Sequence, residues 1–298
     1  MEKKQFFEKA FSRNIGLISH DEALRLKDCS VGIAGLGGVG GSYALTLARM
    51  GIGKFIIADF DIYELANFNR QAGANMTTLN KPKIEGIKRM LLEINPHLEI
   101  TTYSEGLNTK NISEFIQKSD VILDAIDFFS IDAHRMLHQE ARKQKKSALF
   151  SVPAGHSGTL QIFSPNKMSF DSYYDFTDSD DYFTQICKFA IGMAPKALHT
   201  RYLEFDPETL ISGRPTSIAS ACSISTGLIC ANALLILLDR FDGSHYAPFY
   251  TQFDTYTLLG KTGTLFWGNR GPLQRLKLGF MKLKLSQWKT RFQRPTFA

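Results

Sequence analysis

The residues best suited to chemistry in this sequence begin with a glycine-rich turn near the amino terminus. The turn reads GLGGVG over residues 35–40, and Gly35, Gly37 and Gly40 match the pattern G-x-G-x-x-G. In that pattern, backbone N–H groups at the start of a helix hold a phosphate group. Asp59 lies 19 residues after Gly40, where a carboxylate can bind ribose hydroxyls. These features predict a nucleotide site, but they do not distinguish NAD from ATP.

Further polar residues beyond Asp59 favour a triphosphate. The segment Asp59–Gln71 reads DFDIYELANFNRQ, and Lys83 follows it within the sequence KPK. Cleavage of ATP at the α-phosphorus develops charge on the leaving pyrophosphate, which Arg and Lys side chains neutralise. A dehydrogenase has no evident need for these groups. The candidate nucleotide-binding residues are therefore Gly35, Gly37, Gly38, Gly40, Asp59, Asp61, Asn67, Arg70, Gln71 and Lys83.

Two aspartates at the end of a later apolar run are candidates for a magnesium ligand. The run VILDA at residues 121–125 is predicted to be a central strand, and it leads into DAID. Ligands of α/β proteins bind outside the carboxyl ends of the strands, and magnesium prefers carboxylate and phosphate oxygens. Asp127 is the best candidate for this metal, and Asp124 is the second.

Alternating apolar runs and helical patterns predict the elements that position these residues. Buried strands are expected at residues 30–34, 54–58, 98–102, 121–125 and 147–152, and a strand at the sheet margin at 158–163. Helices are expected at residues 39–50, 83–94, 111–117 and 130–143. Strand, glycine turn, helix and strand form a right-handed βαβ unit with parallel strands. The predicted fold class is therefore α/β, a Rossmann-like doubly wound, mostly parallel sheet with helices on both faces.

The composition of the sequence changes after residue 165, so we divide the chain into a nucleotide-binding core at 1–165 and a C-terminal elaboration at 166–298. The acidic and aromatic stretch FDSYYDFTDSDDYF at residues 170–183 is expected to be a solvated loop, with a basic partner or a metal as alternatives. Residues 218–238 contain no charged side chain. Their many small polar residues favour a buried or subunit-interface helix over a membrane span.

The four cysteines form no C-x-x-C pair, so neither a zinc ribbon nor a disulfide framework is supported. Cys187, in the loop-like sequence YFTQICKF, is either a mobile nucleophilic thiol or an ordinary partly buried cysteine. Cys222 and Cys230 are expected to pack within the apolar helix, and His156 either lines the crevice or stabilises a turn. The cysteine usage and the absence of a signal-peptide-like apolar start predict a cytoplasmic protein.

The basic excess of the chain is local. The formal net charge is +6, yet residues 270–298 contain eight Lys or Arg and no Asp or Glu, which leaves 27 basic and 29 acidic residues elsewhere. Apolar residues interrupt this basic tail, so it can pack on its own domain, make weak contact with a membrane surface, or bind an acidic partner or a nucleic acid. Packing on its own domain is the simplest interpretation.

The segments GLGGVG, DFDIYELANFNRQ, KPK and DAID, in this order and spacing, resemble the ThiF/MoeB/HesA-type adenylyltransferases, bacterial relatives of the ubiquitin-activating enzymes. The resemblance covers roughly residues 11–165. It implies that Asp59 binds the ribose and that Asn67, Arg70 and Lys83 surround the phosphates of ATP. It also implies that Asp127 is associated with Mg²⁺, whereas Asp61 and Gln71 either shape the loop or contact ATP.

A further match concerns the amino terminus. The sequence FSRN at residues 11–14 resembles a family segment whose arginine reaches the γ-phosphate in the partner subunit's site. The resemblance therefore implies a homodimer in which Arg13 acts in trans. Together, the catalytic residues that it implies are Arg13, Arg70, Lys83 and Asp127.

The reaction that the resemblance implies is attack of a carboxylate on the α-phosphorus of ATP, which gives an acyl-adenylate and pyrophosphate. A carboxyl terminus has a pKa of about 3.3–3.7, so it is already ionised at neutral pH and needs no general base. The implied substrate is the C-terminal carboxylate of a ubiquitin-like protein or a peptide, whose acyl group then passes to sulfur, a thiol or an amine. Nucleic acid is not favoured as a partner, although a tRNA substrate remains open.

Two departures from the family pattern suggest a divergent branch. Phe128, Phe129 and Ser130 follow Asp127 where the family usually has Asn, and Arg135 comes later than the family's arginine. The zinc cysteines common in the family's C-terminal half are absent from the sequence. An NAD-dependent oxidoreductase and a non-catalytic scaffold related to activating enzymes are the alternative functions.

Overall fold

A computed structural model describes residues 2–204, 207–211, 213 and 215–292, so the last six residues of the basic tail lie outside the described part. The helices are α1 (Lys3–Ala10), α2 (His20–Leu26), α3 (Gly40–Arg49), α4 (Lys83–Ile94), α5 (Ile112–Gln117), α6 (Ile131–Lys143), α7 (Phe170–Tyr174), α8 (Tyr182–Met193), α9 (Pro207–Ile211), α10 (Ala219–Leu237) and α11 (Pro272–Leu285). The strands are β1 (Ser30–Ala34), β2 (Lys54–Ala58), β3 (Glu99–Tyr103), β4 (Val121–Asp124), β5 (Ser147–Phe150), β6 (Pro153–Ala154), β7 (Ser157–Phe163), β8 (Phe249–Asp254) and β9 (Leu259–Thr264).

The strands form one sheet in the order β3-β2-β1-β4-β5-β7-β8-β9, with the short β6 paired to β7. The run from β3 to β5 is parallel, whereas β7, β8 and β9 continue the sheet in antiparallel pairs. The chain order reverses between β1 and β4, which is where a doubly wound sheet opens a crevice for a ligand. The predicted fold class is confirmed.

Three central strands end at the same level of the sheet. Ala34, the last residue of β1, is in register with Ala58 of β2 and with Asp124 of β4. Because parallel strands present their carboxyl ends at one edge, the segments that follow these residues lie side by side. This register brings the glycine loop, the segment after β2 and the DAID segment together.

Helices cover both faces of the sheet. On one face, α3, α4 and α10 pack on the strands through a large apolar cluster that includes Tyr43, Leu47 and Ile87. On the other face, α5 and α6 pack through Phe115, Ile116 and Leu137. All six side chains are fully buried, and such burial contributes about 1.5–3 kcal/mol for an aliphatic or Phe side chain. The crevice is therefore built on a rigid layered core.

The boundaries of several predicted elements are confirmed, but one strand was misplaced. The strands at residues 30–34 and 54–58 and the helix at 83–94 have the predicted limits. The strand expected at the sheet margin is wrong, because β7 lies between β5 and β8 and all seven of its residues are buried. Strands β8 and β9, distant in sequence, cover its outer edge. The sheet is therefore continuous across residue 165.

The acidic stretch at residues 170–183 is the expected loop only in part, because residues 175–181 connect two helices and its two ends belong to α7 and α8. Ser169 caps α7 by accepting a hydrogen bond from the Ser172 N–H at 3.1 Å, and Asp181 caps α8 by accepting from the Thr184 N–H at 2.9 Å. Asp180 is paired with the buried Lys188 of α8 at 2.8 Å. The acidic residues thus serve as caps and ion-pair partners, which local composition alone does not distinguish from solvated charges.

Helix α10 occupies the apolar segment as predicted. Within the described ranges it alone combines the length and hydropathy needed to cross a membrane, and 44% of its most apolar window is buried in the protein. Its buried side chains, among them Cys222, Ile229 and Cys230, face α3 and β7. The apolar side chains on this face are therefore buried against the protein itself, as in the core helices of other proteins.

Candidate functional site

The glycine loop joins β1 to α3, and two of its positions accept only glycine. Gly35 has a φ of +92°, and a Cβ there would overlap the carbonyl oxygen of Ala125. A Cβ on Gly40 would overlap the carbonyl oxygen of Gly35. These two glycines therefore set the tight path of the loop and its contact with the segment after β4.

The other two glycines face polar side chains. A Cβ on Gly37 would lie 3.8 Å from Nε2 of Gln71, and one on Gly38 would lie 3.5 Å from Nε of Arg70. The Gln71 side chain is buried, and its Oε1 atom has no hydrogen-bond partner in the described part of the chain. Arg70 and Gln71 thus lie over the loop where backbone N–H groups would bind a phosphate.

Asp59 ties the loop to the end of β2. One carboxylate oxygen accepts a hydrogen bond from the Leu36 N–H at 2.6 Å, and the other accepts from the Asp61 N–H at 2.8 Å. Burial raises the pKa of Asp59, although the charge of Lys83 and the two N–H donors oppose this shift. Asp59 shapes the site in addition to the ribose contact predicted for it.

Lys83 and Asp61 form an ion pair at the edge of the site. The distance from Nζ to Oδ2 is 2.8 Å, and the Lys83 N–H also donates to the carbonyl oxygen of Asp61 at 2.9 Å. The Lys83 side chain is 7% exposed, whereas that of Asp61 is 53% exposed. An ammonium group has three donors, so the contact with Asp61 leaves capacity to bind a phosphate.

The segment between Asp61 and Lys83 is held by local hydrogen bonds. Oδ1 of Asn67 accepts from the Glu64 N–H at 2.9 Å, which closes a short 3₁₀ helix. Nη1 of Arg70 donates to the carbonyl oxygen of Ala66 at 3.1 Å and to Oδ1 of Asn69 at 2.9 Å. Asn67 therefore orders the turn, and this turn positions Arg70 over the loop.

Asp127 lies at the same edge with an exposed side chain. Its Oδ1 accepts a hydrogen bond from the Phe129 N–H at 2.9 Å. Burial raises the pKa of Asp127, and the hydrogen bond from the Phe129 N–H opposes this shift. The charge of Asp61 raises the pKa as well, whereas the charge of Lys83 lowers it. Asp127 therefore follows β4 at the same edge of the sheet as Asp61, which follows β2.

Asp124, the second candidate for the magnesium ligand, is wrong for that role because it is fully buried. Its Oδ2 accepts hydrogen bonds from Nδ1 of His134 at 2.7 Å and from Nε2 of His138 at 2.9 Å. Burial opposes ionisation, but the interactions of the carboxylate with His134 and His138 outweigh it and hold the pKa of Asp124 well below its ordinary range.

The two histidines have different partners. Nδ1 of His134 faces the Asp124 carboxylate, and its Nε2 lies 3.1 Å from the carbonyl oxygen of Asp127. Both partners are acceptors, so each ring nitrogen of His134 lies against an acceptor. Burial lowers the pKa of His138, and its Nδ1 has no partner among the described residues, which together indicate a neutral ring. Sequence analysis missed this cluster, although two histidines four residues apart on α6 were a signal for it.

The donor set fits a nucleotide accompanied by magnesium. The described ranges contain no group of three or more His, Cys, Asp or Glu that could hold a metal by themselves. Magnesium that accompanies a nucleotide takes one or two carboxylates and completes its shell with phosphate oxygens and water. Asp127 and Asp61 offer such carboxylates at the edge of the loop. The unpartnered Oε1 of Gln71 is a further polar group available to a ligand.

Arg13 lies away from this site within one chain. It is an exposed residue of a 3₁₀ helix at Ser12–Asn14, and Nδ2 of Asn14 donates to the Met50 carbonyl oxygen at 3.3 Å. Met50 follows the carboxyl end of α3, whereas the glycine loop precedes its amino end. A helix of 10 residues separates these ends by about 15 Å.

The remaining candidate side chains have structural surroundings. Cys187 is buried in α8, and this burial raises the pKa of its thiol to about 12, which fits the alternative of an ordinary buried cysteine and not that of a mobile nucleophile. His156 packs beside Tyr202 and Tyr256, with ring centroids 5.6 and 5.7 Å away. Cys222 lies close to the glycine loop, with Sγ 3.6 Å from the position of a Cβ on Gly38.

We expect the fold to lose stability as the pH falls from about 7 to about 5, because of His138. Its folded-state pKa is lowered from an ordinary value of 6.5, so in this range the unfolded chain gains a proton that the folded chain does not. Each unit of depression corresponds to about 1.4 kcal/mol. Asp124, whose pKa is also lowered, adds to this loss only below its ordinary value of 3.8.

Thermal unfolding of His138→Gln measures this effect. Glutamine retains an N–H donor for Asp124 but does not titrate, so its melting temperature should fall less between these pH values than that of the unsubstituted protein. The exposed His20 provides a matched control, and His20→Gln should retain the full loss. Equal pH dependence in the two variants would contradict the assignment to His138.

Comparison with known proteins identifies the family. The sequence model of the ThiF family matches residues 11–265. The molybdopterin-synthase adenylyltransferase of Haemophilus influenzae is 30% identical over 159 residues, which cover 53% of this chain and 65% of that protein. The sulfur carrier protein ThiS adenylyltransferase of Escherichia coli is 28% identical over 157 residues, which cover 52% of this chain and 62% of that protein. The chain thus spans less than two thirds of the length of these relatives.

Solved structures share the fold over most of the chain. PaaA has a TM-score of 0.65 with 19% identity, and the match covers 89% of this chain and 75% of PaaA. E. coli MccB solved with ATP has a TM-score of 0.59 with 18% identity, and the match covers 82% of this chain and 66% of MccB. The family match includes the glycine loop, the segment after β2 and the DAID segment. The chain belongs to the ThiF family.

Proposed function

We propose that this protein is an ATP-dependent adenylyltransferase, which activates a carboxylate as an acyl-adenylate and releases pyrophosphate. The observation that carries the proposal is the grouping of cationic and acidic side chains around the glycine loop. Arg70 lies over Gly38, and the pair Lys83–Asp61 shares an edge with Asp127. The adenylyltransferase names of the relatives and the ATP bound to MccB support the same activity.

In the proposed reaction, an oxygen of the substrate carboxylate attacks the α-phosphorus of ATP. A carboxylate–phosphorus bond forms, the bond from the α-phosphorus to the bridging oxygen breaks, and pyrophosphate leaves with the electron pair. Because the attacking carboxylate is already ionised, no side chain has to remove a proton. Arg70 and Lys83 neutralise the charge that grows on pyrophosphate, while Asp59 keeps the phosphate-binding loop in place.

We propose Mg²⁺ as the accompanying metal. Asp127, with Asp61 beside it, would hold the ion. A bound Mg²⁺ neutralises charge on the triphosphate oxygens. The charge of Asp61 raises the pKa of Asp127, because the two carboxylates repel each other. This repulsion favours a cation between them.

The carboxylate substrate is proposed to be the C-terminus of a ubiquitin-like protein or a peptide. The sulfur carrier protein named for the ThiS adenylyltransferase supports this class of substrate. Three large apolar side chains near the site are exposed and could receive such a chain: Phe60 at 65%, Leu65 at 67% and Met76 at 73%. We keep the proposed cytoplasmic location, which accords with four free cysteines.

The alternative functions fit the site less well. In an NAD-dependent oxidoreductase, the ion pair of Lys83 and the position of Arg70 over the loop would have no role. In a non-catalytic scaffold, the polar set around the loop would not need to persist, yet Arg70, Lys83 and Asp127 are all present and share one site. Adenylation uses all three.

The proposed homodimer gives Arg13 a role. Arg13 lies near the carboxyl end of α3 and cannot reach the glycine loop of its own chain. In a two-fold dimer it would enter the site of the other subunit, as the family resemblance implies.

Arg70→Ala and Lys83→Ala should each lower adenylation by about 100-fold, the usual cost of removing one group that stabilises transition-state charge. ATP–pyrophosphate exchange with candidate peptide carboxylates measures the rate, and thermal unfolding checks that each variant is folded. Arg49→Ala, an exposed position at the far end of α3, is the matched control and should keep its rate. Unchanged exchange in both site variants, or tight NADH binding without ATP binding, would refute the proposal.

Arg13→Ala and Arg70→Ala should complement each other if Arg13 acts in trans. Each variant alone should be nearly inactive, but a mixed dimer has one site with both arginines. Random pairing at equal amounts makes half of the dimers mixed, with one intact site in two, so exchange should recover to about a quarter of the unsubstituted rate. Co-expression of the two variants in equal amounts, without selection of the mixed dimers, permits this measurement. Full activity of Arg13→Ala, or no recovery on mixing, would contradict the role in trans.

A further inference from the structure

Helix α11 has apolar side chains on two opposite faces. Leu278, Met281 and Leu285 face inward and pack with Phe183 and Cys187 of α8. This inner face docks the helix on the protein and makes it part of the folded chain. A helix that needs only this contact would be expected to present polar side chains on its outer face.

The outer face of α11 is instead a stripe of exposed apolar residues. Leu273, Leu276, Phe280 and Leu283 are 64%, 72%, 70% and 75% exposed. Their spacings of three, four and three residues place them along one side of the helix. Phe266 and Trp267, just before the helix, are also exposed, at 74% and 67%. A continuous exposed apolar surface of this kind marks an interaction site.

The stripe lies in a region that carries only positive charge. Residues 255–298 contain no Asp or Glu. Arg275 is an exposed cation on α11, and it has no ion-pair partner among the described residues. Cations on the inner side of the region are neutralised, since Lys289 pairs with Asp181 and Arg291 pairs with Glu208. Arg275 therefore places an unpaired positive charge on the same helix as the outer apolar stripe.

We propose that α11 docks this protein on an anionic lipid surface. The apolar stripe would enter the boundary between headgroups and acyl chains, and the cations would contact the headgroup phosphates. The exposed Trp267 is of the residue type enriched at that depth. A second copy of the chain fits less well, because two such faces would bring like charges together. The inference rests on this face alone and is independent of the proposed adenylation.

Vesicle sedimentation with the full chain tests the proposal. The probes are vesicles of phosphatidylcholine alone and vesicles in which about 30 mol % is phosphatidylglycerol. The protein should bind the anionic vesicles at least about tenfold more tightly than the neutral ones, and raising the salt from about 0.1 M to about 0.5 M should weaken binding. Equal binding to both vesicles, or binding to neither, would overturn the proposal.

Two variants assign the binding to α11. Leu276→Ser/Phe280→Ser removes the centre of the stripe and should weaken binding by more than about tenfold, whereas Leu258→Ser, at a residue 77% exposed in the turn between β8 and β9, should not. Arg275→Glu should weaken binding to anionic vesicles by about tenfold, while Lys261→Glu on β9 serves as the charge control. Because all five positions are exposed, melting temperatures should stay unchanged.

The same variants distinguish lipid binding from binding of a second copy of the chain or of an acidic protein partner. If light scattering without lipid shows a smaller oligomer for Leu276→Ser/Phe280→Ser, the stripe is a contact between copies and the lipid proposal fails. If the variants lose an acidic protein partner but bind vesicles like the unsubstituted chain, the proposal fails as well. Loss of vesicle binding at an unchanged oligomeric state supports it.

Discussion

The site depends on the carboxylate of Asp59, which joins the ends of two strands. By accepting from the N–H groups of Leu36 and Asp61, it fixes the glycine loop after β1 and the start of the polar segment after β2. Every candidate group for the phosphates follows one of these two anchored points. Arg70 reaches back over the loop, and Lys83 is tied to Asp61 through both its side chain and its backbone. One buried carboxylate thus holds the glycine loop and the polar segment after β2 next to each other.

A second buried acid supports the other side of the crevice. Asp124 ends β4 in register with Ala34, and it holds His134 and His138 of α6 beneath the DAID turn. His134 donates onward to the carbonyl oxygen of Asp127 and thereby fixes the turn that presents the Asp127 side chain. A charge without a partner in this apolar layer would be costly, so Asp124 requires its contacts with both histidines. The two aspartates of D-x-x-D therefore have different surroundings, since Asp124 is buried and Asp127 is exposed.

The sequence was informative where local pattern and chemistry coincide. The βαβ unit, the glycine loop and the polar set after β2 follow from period, turn residues and fixed spacing, and the structure brings Gly38, Arg70 and Gln71 together as that pattern suggested. Long-range pairing was not accessible in this way. The burial of β7 depends on β8, about 90 residues later, and the helices of the acidic stretch depend on partners such as Lys188. Asp124 is buried and Asp127 is exposed, a difference that cannot be read from two neighbouring aspartates in a sequence.

The residues that depart from the family pattern explain how the C-terminal half is attached to the site. Phe128 stacks on Phe189 of α8 with ring centroids 5.2 Å apart, and Phe129 is buried in the same aromatic cluster. The carbonyl oxygen of Phe129 accepts a hydrogen bond from the Tyr182 hydroxyl at 2.9 Å, while its N–H donates to Asp127. Arg135 also contacts the C-terminal half, because it forms an ion pair with Asp171 of α7. The aromatic pair therefore couples the position of Asp127 to the packing of α8 through an apolar contact.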